Sequence, residues 1–352
     1  MNSDCGKIKK MDKKKKNRII QILDRLTGYA LATFVVIGII GVGVVFVCTK
    51  GPSDALKSTF VRTFLETRRF GFIPHLFLTD EEVEQYDAYD TGYYSGAGVE
   101  FDAELVNVDE SNVNENGEDA YGLVDDDGDG IIYVEGRYKS STYYMIVVLD
   151  PKRVFVGMPD SYGGYGLVLE DMVKKYDAIG GINAGSFLDY SGAGTGGDPA
   201  GITIIDHEFY NTDCIGSVAG LTDDGVLFCG YYDYWSCVNF NFKYAVSFNP
   251  TLIVNGNIVG EDALEGGVNP RTCIGQRADG AIVMFVVDGR QAYSIGLSQK
   301  DCAELLLSYG VINAINMDGG SSTCMYHDGE MTNHPSNAAG GSRYLPTAWL
   351  YK

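Results

Sequence analysis

Residues 281 to 320 read AIVMFVVDGR QAYSIGLSQK DCAELLLSYG VINAINMDGG, and the order of elements in this stretch decides the fold. Ala281 to Val287 is a continuous apolar run, too short for an ordinary helix and rich in β-branched residues, which predicts a buried strand. Ser298 with Asp301 three residues on predicts a helix N-terminus. Cys302, Leu305, Leu306 and Tyr309 then recur at i, i+3, i+4 and i+7 before Gly310 closes the helix. Val311 to Met317 is a second apolar run. Strand, helix and strand in one sheet make a crossover with parallel strands. Asp288 and Asp318 therefore leave their strands at the same sheet edge, where open α/β sheets bind ligands. Either Asp-Gly pair alone is an ordinary turn dipeptide. Together, with Arg271 and Arg290 nearby, they read as a site.

The pattern repeats upstream. Arg153 to Gly157 reads as a strand, Leu169, Met172, Val173 and Tyr176 form a helical stripe, and Ala178 to Ile182 leads into Asn183-Ala184-Gly185-Ser186-Phe187. Asn183 then corresponds in position to Asp318. Ser191 to Gly197 is a glycine-rich loop that either admits a ligand close to its backbone or has no defined structure. Further apolar runs from Ile131 onward, separated by Asp-Gly and Asn-Gly turns, predict β-hairpins. The expected class is α+β: a mixed sheet with hairpins and two strand-helix-strand crossovers, preceded by a transmembrane helix.

Charge is divided sharply along the chain. Of 27 basic and 47 acidic residues, the first fifty hold 10 and 3, which leaves 17 against 44 beyond them, a net of about −27. Such a surface repels nucleic-acid phosphates, so no nucleic-acid partner is expected, and a phosphate is welcome only beside local arginines. Tyr29 to Cys48 runs twenty residues without a charge, long enough at about 1.5 Å per residue to cross a bilayer of about 30 Å. Seven Lys and one Arg in residues 1 to 18 place that end in the cytoplasm by the positive-inside rule. The expected organisation is a basic tail (1–28), a membrane anchor (29–48), stalk helices with an acidic linker (49–136) and a catalytic domain (137–352). A cleaved signal peptide is the competing reading, but no small-x-small cleavage site follows the apolar run. The sequence contains no Asn-x-Ser/Thr sequon, which fits a bacterial cell surface. Within the linker region, Gly51 to about Arg69 suggests an amphipathic stalk helix, Thr79-Asp80-Glu81-Glu82 a capped helix start, and residues 87 to 118 a polar loop.

Asp125, Asp127, Asp129 and Gly130 match the first half of a calcium loop, against the plainer reading of a solvated acidic turn. The twelfth position is Gly136, and Glu135 falls one short of it. Calcium is the one cofactor the residues suggest. Of eight cysteines, Cys273, Cys302 and Cys324 lie in runs expected to be buried, which leaves Cys214, Cys229 and Cys237 as candidates for at most one disulfide. No cysteine pair has zinc-site spacing, and four scattered histidines argue against a histidine-rich metal centre.

The succession Gly181-Ile182-Asn183-Ala184-Gly185, Leu252-Ile253-Val254-Asn255-Gly256, Pro270-Arg271-Thr272, Asp288-Gly289-Arg290 and Asp318-Gly319-Gly320-Ser321-Ser322 resembles the phosphodiester glycosidase family over roughly Tyr138 to Lys352. The resemblance implies hydrolysis of a sugar-1-phosphodiester, such as an N-acetylhexosamine-1-phosphodiester of a cell-wall polymer, capsule or glycolipid. Chemistry then assigns roles. A phosphate monoester is an acidic leaving group with less need of a proton donor than an ordinary aglycone. A carboxylate must support the anomeric carbon, and arginine forks suit the departing phosphate. Asp318 or Asp288 is the expected catalytic carboxylate, and Arg271 and Arg290 the phosphate ligands. Asn183 and Ser321 or Ser322 orient sugar or oxyanion, with Gly319 and Gly320 in the binding turn.

Each assignment has a plainer counterpart. Arg290 pairs with Asp288 to fix a loop, the serines bond only their own turn, and His334, a candidate general acid, is one more exposed loop histidine. Tyr231, Tyr232, Tyr234 and Trp235 form either a sugar platform or ordinary packing. The rival functions are a phosphodiesterase acting at phosphorus and a non-catalytic module binding phosphorylated or acidic glycans.

Overall fold

Ile282–Val287 and Val311–Met317 share a sheet and run in the same direction, but they are not neighbours. Arg271–Arg277 lies between them, antiparallel to both. The computed structural model describes residues 3–65, 70–86, 98–108, 113–160, 162–188, 195–214, 216–264, 267–337 and 341–352. The seven-stranded sheet has the order Ile131–Tyr138, Ser141–Val148, Ile282–Val287, Arg271–Arg277, Val311–Met317, Thr251–Val254, Asn257–Ile258. The crossover helix, Gln299–Ser308, begins at the expected capping box: Ser298 Oγ accepts from Asp301 N (3.0 Å), and Asp301 Oδ2 accepts from Ser298 N (3.2 Å). Its Cys302, Ala303, Leu305 and Leu306 pack on Cys273, Val283, Phe285 and Val287. The alternate residues Ile274, Ile282, Met284, Val286, Ile315 and Met317 face the opposite way, into the main core. With both faces covered, the strands read as unbroken apolar runs.

The upstream crossover is built the same way. Val154–Gly157 and Gly180–Asn183 are parallel, with Ala348–Tyr351 between them and antiparallel to both. Leu169, Met172 and Val173 of the helix Leu169–Tyr176 pack on Cys324, Leu345, Ala348 and Leu350. Close approach demands glycine at 181, where a Cβ would stand 2.2 Å from the Trp349 carbonyl oxygen. A third sheet, ordered Leu227–Gly230, Ser217–Leu221, Tyr244–Phe248, Thr203–Ile205, Glu208–Asn211, contributes Ala219, Leu221, Leu227 and Val246 to the core shared by all three. The class is α+β with mixed strand directions, as expected.

Two compact units are present, residues 1–57 and 58–352. In the first, Ser3–Lys50 is one helix whose Ile20–Lys50 portion is long and apolar enough to cross a membrane. A helix spans Asp54–Leu65 within the stretch expected to form a stalk, and residues 66–69 of that expectation lie outside the described residues. Thr79 caps Asp80–Glu84 in a capping box with Glu82. Residues 87–97 and 109–112 of the polar loop also lie outside the described residues. Beyond that loop, Asp119 is buried in an ion pair with Arg277 (2.5 Å), and Ile131–Tyr138 is already an integral strand of the large sheet.

No disulfide joins Cys214, Cys229 and Cys237, the three candidates for at most one. All three are free thiols, with Cys229 and Cys237 buried and Cys214 exposed. Burial in apolar surroundings raises the pKa of the Cys229 and Cys237 thiols, the behaviour of packed small hydrophobes.

Candidate active site

The ends of the two crossovers meet. Asp318 N donates to the Ala184 carbonyl (3.1 Å), and Asn183 Nδ2 donates to the Asp318 carbonyl (2.6 Å). Asn183 Oδ1 accepts from Thr272 Oγ1 (2.8 Å) and Cys324 N (3.0 Å). Asn183 is fully buried, so it fixes the position of Asp318 rather than facing a substrate. Asp288 leaves the same edge of the large sheet two strands away, about 10 Å along the sheet at ordinary strand spacing.

The turn after Asp318 requires both of its glycines. Gly320 N donates to the Pro270 carbonyl (3.0 Å), and a Cβ on Gly319 would stand 3.0 Å from that oxygen. Gly320 has φ +63°, a left-handed conformation that disfavours side chains, and a Cβ there would meet Arg290 Nη2 at 3.1 Å. The Arg290 guanidinium is thus laid against the turn, donating through Nε and Nη2 to Asn269 Oδ1 (3.3 and 3.1 Å). Ser321 Oγ accepts from Arg343 Nη1 (3.4 Å), and that guanidinium stacks on Phe187, its carbon 4.6 Å from the ring centroid. Ser322 Oγ is buried and has no hydrogen-bond partner among the described residues.

Arg271 is placed differently. It follows the alternation of Cys273 toward the helix-covered face, is 5% exposed, and donates to the carbonyls of Leu297 (3.1 Å) and Gly267. Its fork holds backbone carbonyls, and Arg343 takes the place beside the turn. Arg343 escapes sequence reasoning because it follows a small-residue stretch, Asn337-Ala338-Ala339-Gly340-Gly341-Ser342, with no strand or helix signature.

Asp288 is 1% exposed, and both of its oxygens are engaged by protein. Oδ1 accepts from His334 N (2.9 Å) and Asn333 Nδ2 (3.2 Å); Oδ2 accepts from Tyr144 Oη (3.3 Å) and lies 3.3 Å from His334 Nδ1. Burial raises its pKa against the lowering effect of these donors. Its partners are Tyr144, Asn333 and His334 rather than Arg290, so the plainer alternative of a loop-fixing Asp288–Arg290 pair is not what forms.

The acidic loop lies at the far end of the large sheet. Tyr143, five residues from Val148, pairs with Val287 at the site edge, whereas Val148 pairs with Ile131 beside the loop, about 17 Å away along the strand. Carboxylate oxygens of Asp125, Asp127 and Asp129 lie within 4.8 Å of one another. They accept from the amides of Gly128, Gly130, Asp129 and Ile131. Glu135 is committed to the strand opposite Tyr144 and Gly136 opposite Tyr143, so the closing carboxylate of a complete calcium loop is missing. No step of the chemistry passes through this loop. Residues 189–194 of the glycine-rich loop lie outside the described residues. In the aromatic group, Tyr232 packs among Phe228, Phe240 and Phe242, while Trp235 is exposed.

Residues 176–352, which carry Asn183, the Asp288 loop and the Asp318 turn, match the family model described as phosphodiester glycosidase. The chain belongs to this family. It is similar to the SPbeta prophage-derived uncharacterized protein YomE of Bacillus subtilis (strain 168), 44% identical over 69 residues, covering 20% of this chain and 11% of that protein. Human N-acetylglucosamine-1-phosphodiester alpha-N-acetylglucosaminidase is 39% identical over 70 residues, covering 20% of this chain and 13% of that protein. The bovine protein of the same name is 31% identical over 136 residues, covering 34% and 26%. The matches thus span only about a tenth to a quarter of these relatives' lengths. Among solved structures, the zebrafish N-acetylglucosamine-1-phosphodiester alpha-N-acetylglucosaminidase catalytic domain, auto-inhibited by its pro-peptide, aligns with TM-score 0.54 and 22% identity, covering 63% of this chain and 81% of that one. A hypothetical protein from Synechocystis aligns with TM-score 0.52 and 14% identity, covering 65% and 63%. At these identities the structural likeness establishes the fold.

Proposed function

We propose that this chain hydrolyses the glycosidic bond of a sugar-1-phosphodiester, releasing free sugar and a phosphate monoester. We place the reaction outside a membrane in which the Ser3–Lys50 helix is the anchor, with the lysine-rich end cytoplasmic. The observation that carries this reading is the Asp318 turn flanked by Arg290 and Arg343: one carboxylate and two guanidinium groups gathered on a chain that is otherwise strongly acidic. The human relative's name, with N-acetylglucosamine in its substrate, supports an N-acetylhexosamine as the sugar. A cell-wall polymer, a capsule or a glycolipid headgroup would supply such a diester.

In this reading Asp318 is the catalytic carboxylate, attacking or directing water to an anomeric carbon of oxocarbenium character. Arg290 and Arg343 receive the phosphate, whose charge grows as the bond to carbon breaks; a planar fork already in place costs no reorganisation at that moment. Asn183 keeps Asp318 in position from beneath, and Ser321, partly exposed in the turn, orients the sugar or the oxyanion.

The test is product identification. The full-length protein in detergent is incubated with α- and β-sugar-1-phosphodiesters, and products are identified by mass spectrometry. Free sugar plus phosphate monoester, lost in Asp318→Asn, supports the reading. Sugar-1-phosphate would move the chemistry to phosphorus. Unchanged substrate with glycan binding intact in both proteins would make this a binding module.

A further inference from the structure

His334 is an exposed side chain on a backbone fixed from several sides. Its amide donates to Asp288 Oδ1 (2.9 Å), and its carbonyl accepts from Gln291 Nε2 (2.7 Å). The preceding Asn333 donates from Nδ2 to the Thr323 carbonyl (3.3 Å) and accepts at Oδ1 from Met325 N (2.8 Å). Two residues on, Ser336 Oγ donates to the Gly320 carbonyl (3.3 Å). The segment carrying the imidazole is therefore pinned on both sides of it to the turn that follows Asp318. The side chain itself is 67% exposed, whereas the Asp288 carboxylate it faces is 1% exposed. What the arrangement does achieve is orientation: Nδ1 faces the buried Asp288 carboxylate and leaves Nε2 for solvent or substrate.

We infer that His334 is the proton donor to the departing phosphate and that Asp288 is the positioning residue that orients it. This rests on the glycosidase reading above. As the bond from the anomeric carbon to the bridging oxygen breaks, its electron pair stays on that oxygen. The proton on His334 Nε2 passes to the phosphate, which leaves as the monoanion of a monoester. Water adds to the anomeric carbon and gives up its proton on the Asp318 side. The neutral imidazole, its Nδ1 3.3 Å from Asp288 Oδ2, is reprotonated from solvent. The titratable and charged groups facing His334 are Asp288 at the end of Ile282–Val287, Tyr144 on Ser141–Val148, and Tyr293, whose ring stands edge-on 6.2 Å away on the loop that also carries Arg290.

The experiment compares full-length wild type, His334→Gln and Asp288→Asn on two substrates of the same sugar: an alkyl phosphodiester, and a glycosyl fluoride, whose leaving group is a far weaker base than a phosphate monoester and departs without a proton. For His334→Gln, kcat on the diester falls about 100-fold, at the low end of general acid catalysis, while hydrolysis of the glycosyl fluoride changes less than about 3-fold. Wild-type kcat/KM on the diester declines as pH rises through the imidazole range. That basic limb vanishes in His334→Gln, and Asp288→Asn, which loses the carboxylate orienting the ring, lowers kcat on the diester more than on the glycosyl fluoride. Equal losses on both substrates, or a basic limb retained in His334→Gln, would overturn the assignment while leaving the glycosidase reading intact. Failure of the wild type to release sugar from any diester would instead remove the glycosidase reading, and this assignment with it.

Discussion

Asn183 Nδ2 donates to the Asp318 carbonyl at 2.6 Å, so the last residue of one crossover holds the first residue beyond the other. The pair is a junction between two sheets, and in the proposed mechanism it makes the placement of Asp318 depend on a fully buried residue. Asn183→Asp keeps an acceptor for Thr272 and Cys324 but turns a carboxylate oxygen against the Asp318 carbonyl. It is expected to cut kcat about 100-fold with KM little changed, because small displacements of a reacting group cost that much. Asn183→Ala leaves buried partners unsatisfied and is expected to cost about 3 kcal/mol in urea denaturation.

Gly320 and Gly329 form a matched pair. Both have positive φ, +63° and +87°, but only Gly320 abuts the Arg290 guanidinium; nothing lies within 4 Å of a Cβ at 329. Alanine at either position is expected to destabilise by about 1 to 2 kcal/mol through the backbone. Only Gly320→Ala should also raise KM for the diester, about 10-fold, as measured in parallel steady-state assays.

The three arginines separate by function. Arg290→Lys and Arg343→Lys each lose the planar fork and are expected to raise KM for the phosphodiester at least about 10-fold, with thermal stability nearly unchanged. Arg271→Lys breaks bonds to buried carbonyls. It should lower the denaturation midpoint while leaving the kinetic constants of the folded fraction near wild type.

His327 supplies a pH signature away from the site. It is partly buried, stacks on Tyr133 and shares a 2.6 Å hydrogen bond with Tyr351 Oη; burial lowers its pKa below the ordinary 6.5. With the folded pKa depressed, the unfolded chain binds the proton more readily. Stability contributed by this residue is therefore present above about pH 6.5 and declines as pH falls from there toward the folded pKa. Urea midpoints measured from pH 8 to 5 should drop less steeply for His327→Gln than for wild type.

Much of this fold was legible because its strands and helices advertise themselves locally. The run from Ala281 to Val287, the capping box at Ser298 and the stripe through Leu306 specify a crossover without reference to the rest of the chain. What they do not specify is the strand that slips between the parallel pair. Arg271–Arg277 and Ala348–Tyr351 occupy those positions through long-range pairing, and the four residues Ala-Trp-Leu-Tyr have no alternation to read. The site was legible as an edge. Its interior assignments turned on hydrogen bonds that a sequence does not display: Asn183 spends its amide on Asp318, Arg271 spends its fork on backbone carbonyls, and Asp288 is sealed behind His334. Arg343 had no signal because its position depends on where the chain returns after Ser336.

The account is tested most directly by hydrolysing a sugar-1-phosphodiester in ¹⁸O-labelled water and locating the label by mass spectrometry. Attack at the anomeric carbon, supported by Asp318, predicts label in the released sugar and none in the phosphate monoester. Label in the phosphate product would contradict it.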